Sequence, residues 1–159
     1  MNRLHKTNAF IAKMEGIAVS SLLAVMITLA FVQVLLRNFL QSGIPWADIF
    51  LRNLVLWVCF LGASLSTYEK KHITIDILGR LLGPKARILA VFLVNMASSI
   101  VCGLLAAAAF QFLWDEQKGG GFLFGEIPAW YFLTIIPPTL ALMGARFFLS
   151  SLEPFFEKT

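Results

Sequence analysis

The sequence predicts an all-α integral membrane protein that crosses the bilayer four times. Three observations carry this. Of the 159 residues, 58% are hydrophobic and only 14% charged, whereas soluble domains run near 45–50% and about 25%. Mean hydropathy is +0.79. The apolar residues gather into four long runs separated by short charged segments. The length fits a single domain. The net charge of +4 does not indicate nucleic acid, because the basic residues sit between apolar runs, where lipid headgroups would meet them.

A helix needs about 20 apolar residues to cross the hydrocarbon core. The first run, residues 16–36, holds no charge and follows Arg3, Lys6 and Lys13. It is longer than a signal-peptide core and ends in Gln33, Leu36 and Arg37 rather than a small-residue cleavage site, so a retained span is expected. The second span is expected over 49–68, with Arg52 snorkelling to the interface. The third, 88–114, exceeds a bilayer's needs and should tilt or project. The fourth is expected over 127–152, with Pro128 in its first turn and Pro137 and Pro138 kinking it mid-span.

Between spans two and three, residues 72–83 read as a short amphipathic helix lying in the interface. Ile73, Ile77, Leu78, Leu81 and Leu82 share one face, and His72, Asp76 and Arg80 the other. Between spans three and four, Gly119, Gly120, Gly121 and Gly125 read as a flexible turn. No phosphate-loop pattern surrounds them.

Orientation follows from the basic residues. With both termini cytoplasmic, Arg3, Lys6, Lys13, Lys70, Lys71, Arg80, Lys85, Arg87, Arg146 and Lys158 lie inside, which is ten of the thirteen Lys and Arg. Arg37, Arg52 and Lys118 lie outside. Trp46, Trp114, Trp130 and Tyr131 then form an outer aromatic belt, and Tyr68 marks the inner face.

The chemistry available is sparse. No Asp or Glu falls at mid-span, as a proton- or sodium-coupled carrier or a small exporter would need. His5 and His72 lie outside the spans, so haem ligation is not expected, and neither a cofactor nor a metal site is predicted. Cys59 and Cys102 read as small packing residues. Asp48 and Arg52, four apart at the start of span two between Trp46 and Trp57, can pair on a helix, serve as an interfacial anchor or meet another subunit. Arg37 could join them. Ser99 with Gly103, and Cys102 with Ala106, repeat at four, the spacing that lets helices approach. Gly62 lies in a small-residue stretch of span two. Gln33 and Asn95 need hydrogen-bond partners inside their spans. The residues alone thus point to an accessory membrane subunit. A redox-complex anchor and an autonomous small exporter remain open beside it.

Several motifs resemble one family. Ile44-Pro45-Trp46-Ala47-Asp48, Arg52, Trp57, Phe60-Leu61-Gly62-Ala63 and His72-Ile73-Thr74-Ile75-Asp76 occur in the order found in the small, Q-type (DctQ-like) membrane subunit of tripartite ATP-independent periplasmic (TRAP) transporters. Ile127-Pro128-Ala129-Trp130, Pro137 and Arg146-Phe147 resemble that family's fourth span. The family commonly has two adjacent acids after Pro-Trp, where this chain has Asp48 and then Ile49. The resemblance implies a non-enzymatic scaffold in a bacterial inner membrane. Its partners would be a large transport subunit and a periplasmic solute-binding protein that captures an organic acid. Uptake would be driven by an ion gradient, usually sodium.

Overall fold

The computed structural model describes residues 2–69, 84–124 and 127–156. Its elements are α1 (Asn2–Phe39), α2 (Pro45–Glu69), α3 (Pro84–Gly119), β1 (Phe122–Phe124), β2 (Ile127–Pro128), α4 (Trp130–Leu133) and α5 (Ile136–Phe156). Four stretches are long and apolar enough to cross a membrane: Thr7–Phe39, Pro45–Glu69, Ile88–Gly119 and Trp130–Leu152. The chain is therefore an all-α, multi-pass membrane protein. At 1.5 Å per residue the first and third of these are each roughly 50 Å long, well beyond a hydrocarbon core of about 30 Å. The amphipathic helix expected over 72–83, with Ile73, Asp76, Ile77, Arg80 and Leu81, lies outside the described residues.

The helix ends follow local chemistry. After α1 the chain closes through Gln41 at φ 51°, a left-handed residue of the kind that terminates helices. The Ser42 amide reaches back to the Leu36 carbonyl at 3.4 Å. Pro45 and Pro84 open α2 and α3, where a missing N–H costs nothing. Asp48 sits in the first turn of α2, the favourable end of the helix dipole for an acid.

The segment after α3 differs from the expected flexible turn. Gly120 takes φ 67° and its amide bonds the Glu116 carbonyl at 3.2 Å, ending the helix. Two short antiparallel strands follow, with Phe122 opposite Pro128 and Phe124 opposite Ile127. Pro128 thus lies in a strand and not in the first turn of a helix. The fourth span is broken rather than kinked: α4 stops at Leu133, and α5 restarts at Ile136 with Pro137 and Pro138 in its first turn. The reason is the hydrogen-bond ladder. In a continuous helix the two prolines would leave the Leu133 and Thr134 carbonyls without donors, whereas in a first turn no donor is needed.

The chain divides into two compact units: residues 1–62 with 113–135, and residues 63–112 with 136–159. In the second, α3 and α5 approach closely at Gly144. Ser99 Oγ donates to the Gly144 carbonyl at 3.0 Å. A Cβ added at Gly144 would lie 3.3 Å from Cys102 Cβ and 3.5 Å from the Ser99 carbonyl oxygen. The small residues Ser99 and Cys102 thus make room for α5, whereas Gly103 and Gly62 have open space where a Cβ would go. Gly144→Val should cost about 2 kcal/mol of stability by overpacking a contact that involves backbone. Thermal unfolding in detergent checks this, and a wild-type midpoint would show that the helices part freely.

Candidate functional site

With so few polar side chains, the site is best built from those that the fold engages. In the first unit, Gln33 is buried within α1. An unpartnered amide in hydrocarbon costs several kcal/mol, and here the chain supplies partners from the α1–α2 connection. The Ile44 amide donates to Gln33 Oε1 at 3.1 Å, and Gln33 Nε2 donates to the Ile44 carbonyl at 3.1 Å. Nε2 also reaches Asp48 Oδ1 at 3.4 Å. The side chain thus reads the backbone of Ile44 in both directions and pins the entry to α2.

This changes the picture of the charged cluster. The contact the structure gives Asp48 is with Gln33 on another helix. Among the described residues no ion pair joins Asp48 to Arg52, which lies exposed on α2. Arg37 is exposed as well, at the end of α1. Trp46 is 46% exposed and meets the edge of Phe50, which meets Phe132 in turn.

Trp57 is engaged inside the chain: its indole N–H donates to the Phe132 carbonyl at 2.8 Å. That carbonyl lies at the break of the fourth span, so Trp57 on α2 braces the discontinuity. Trp57→Phe keeps the ring and removes the donor. It should cost about 1 kcal/mol, one hydrogen bond's net worth, read as a lower unfolding midpoint in detergent. An unchanged midpoint would show that the break holds without it.

In the second unit, Arg146 on α5 is only 4% exposed and Ser64 on α2 is fully buried. Arg146 Nη1 donates to both the Ser64 carbonyl and Ser64 Oγ, the latter at 3.0 Å. Its guanidinium carbon stands 5.6 Å over the Tyr68 ring, in cation–π range. Sequence reasoning counted Arg146 for orientation and missed this anchor. Two signals were present: Arg146 lies six residues inside the end of the fourth span, and Ser64 and Tyr68 share one face of α2 at i, i+4. Asn95 is half-buried on α3, and among the described residues its side chain makes no hydrogen bond.

Chemically, these groups hold helices together and leave long apolar faces exposed. Leu93, Val94, Leu104 and Leu105 on α3 are each more than half exposed. Apolar helices of this length present such faces to lipid or to other helices.

Comparison with known proteins gives a matching answer. Residues 26–157 match the family model described as tripartite ATP-independent periplasmic transporters, DctQ component. The chain is 35% identical over 96 residues to a Haemophilus influenzae protein named as a TRAP transporter small permease, covering 60% of each chain. It is 30% identical over 91 residues to a second such small permease from the same organism, covering 57% of this chain and 55% of the relative. The matched stretch thus spans less than two thirds of either relative's length. The family model, by contrast, runs through all of α2 and α3 and reaches the end of α5, and on that ground the chain belongs to the DctQ component family of tripartite ATP-independent periplasmic transporters.

Proposed function

We propose that this chain is the small scaffold subunit of a TRAP transporter and carries out no catalysis itself. It pairs with a large membrane subunit that moves an organic acid, such as sialic acid, another sugar acid or a C4-dicarboxylate. A periplasmic binding protein delivers the acid, and an ion gradient, most simply sodium, drives uptake. The chain sits in a bacterial inner membrane with both termini cytoplasmic. The family match over residues 26–157 carries this reading. Its support from the residues is that internal contacts engage the buried polar side chains Gln33, Ser64 and Arg146, while broad apolar helix faces stay open.

Within this reading, the partner-facing groups are the exposed ones: Arg37, Arg52 and Trp46. Gln33, Asp48 and Trp57 act indirectly by fixing the connections that present them. Asn95, Ser99, Gly62 and Gly103 serve helix packing within the chain or against the partner. Residues 73–81 set the depth of the assembly at the inner interface.

A C-terminally tagged chain, extracted from native membranes in mild detergent, should bring down a many-span membrane protein in stoichiometric amount. Liposomes holding both proteins and the binding protein should then take up organic acid only with an ion gradient. Recovery of the chain alone, from a detergent that preserves other membrane complexes, would overturn the scaffold role.

A further inference from the structure

Two exposed apolar side chains lie in the connection between the third and fourth spans. Phe122 on β1 is 65% exposed and Ile127 on β2 is 43% exposed. They fall between Gly119, where the third span ends, and Trp130, where the fourth begins. Crossing a membrane therefore does not account for them.

Their surroundings do. At the end of α3, Trp114 is 52% exposed and the Lys118 ammonium lies 5.1 Å from its ring centre. At the start of the fourth span, Tyr131 is 55% exposed and stacks on Trp130 at 4.0 Å. Trp, Tyr and Lys with an apolar body and a polar tip are the side chains that favour the membrane–water boundary. Geometry holds the hairpin there too. Both of its ends are tied to spans, and three residues of strand rise roughly 10 Å, little more than the roughly 5–8 Å depth of one headgroup layer.

The backbone also suits a poorly hydrated site. The Gly120 amide bonds the Glu116 carbonyl, and the Ala129 amide bonds the Gly121 carbonyl at 2.8 Å, closing the base of the hairpin. Groups paired in this way need no water, which lowers the cost of seating the base of the hairpin in the boundary.

We propose that the β1–β2 hairpin is an interfacial lipid anchor, with Phe122 and Ile127 lying in the headgroup–acyl boundary of the leaflet at which α3 ends. This fixes the depth of spans three and four independently of any partner subunit. It rests on the four spans alone, not on the scaffold role.

The test places Phe122→Cys and Ile127→Cys, separately, in the full chain in phosphatidylcholine nanodiscs, each labelled with a small environment-sensitive fluorophore. The unmutated chain gives the background from Cys59 and Cys102. Lipid brominated high on its acyl chains should remove most of the emission at both positions, and aqueous iodide little. Quenching by iodide and not by brominated lipid would put the hairpin in water and overturn the anchor. Protection from both quenchers would mean that protein covers it, which overturns the anchor equally. Because a labelled variant can fail to insert, the unmutated chain is also photocrosslinked to a lipid carrying a diazirine high on its acyl chain. Adducts mapping to residues 120–129 are expected, and adducts confined to the spans would overturn the proposal.

Discussion

Arg146→Ala should lower the stability of the protein by about 3 kcal/mol, since hydrogen bonds from a charged donor are worth roughly 1.5–3 kcal/mol and their loss strands a buried acceptor. The substitution removes the two bonds to Ser64, leaves the fully buried Ser64 without that donor, and deletes the cation over Tyr68. Two further variants separate these causes. Tyr68→Phe preserves the ring and should stay within about 0.5 kcal/mol of wild type, whereas Tyr68→Ala should lose about 1 kcal/mol as the cation–π contact goes. Arg146→Lys keeps a cation but lacks the planar fork, so it should recover only part of the loss. Arg146→Met tests the opposing term: a buried charge carries a desolvation cost that an apolar side chain of similar length avoids. A Met variant as stable as wild type, beside a weak Ala variant, would show that volume and not charge holds α5 to α2. Thermal unfolding in detergent reads all of these. An Ala variant within about 0.5 kcal/mol of wild type, the range of ordinary surface changes, would remove Arg146 from the list of anchors.

That anchor shows where a sequence stops being readable. The four spans were legible because crossing a bilayer demands only local composition, which hydropathy measures directly. The stripe at Ser99 and Cys102 was legible from its four-residue spacing, but its partner Gly144 was not. Nothing in either segment encodes a contact 45 residues away. Gln33 declared itself as a polar group in need of partners, yet its main partner is the Ile44 backbone, and backbone atoms carry no sequence identity. The i, i+4 rule suggested Asp48 with Arg52. A rule for one helix could not anticipate that α1 would bring Gln33 to the same carboxylate. The paired prolines announced a disturbance in the fourth span, but not that the helix would stop at Leu133 and restart at Ile136, with the Trp57 indole N–H on the Phe132 carbonyl beside the break. The glycine run likewise announced a turn, while the strand pairing beyond it needed the register of Phe122 against Pro128.

Gln33→Glu is the sharpest test of the α1–α2 connection, because it changes chemistry with almost no change in shape. The carboxylate can still accept from the Ile44 amide, as Oε1 does now at 3.1 Å. Its second oxygen, however, replaces the donor that faces the Ile44 carbonyl and Asp48 Oδ1. Two attractive contacts become repulsive in a buried site, and a loss of about 3 kcal/mol is expected, more than the roughly 2 kcal/mol of Gln33→Leu, which deletes the bonds without opposing charges. Asp48→Asn alone should change little, because the contact it alters is long at 3.4 Å. Added to the Gln33→Glu background it supplies a donor and removes a charge, so it should restore at least about 1 kcal/mol, a coupling that only directly interacting residues show. Additive losses in this cycle would mean that Asp48 and Gln33 do not meet. The same four proteins also bear on the proposed scaffold role. Arg37 and Trp46 stand at the two sides of the connection that Gln33 pins, so recovery of the large subunit with the tagged chain should fall with Gln33→Glu and return with the double variant. If stability follows the cycle and partner recovery does not, the connection is a folding element, and the partner surface lies on the apolar faces of the helices instead.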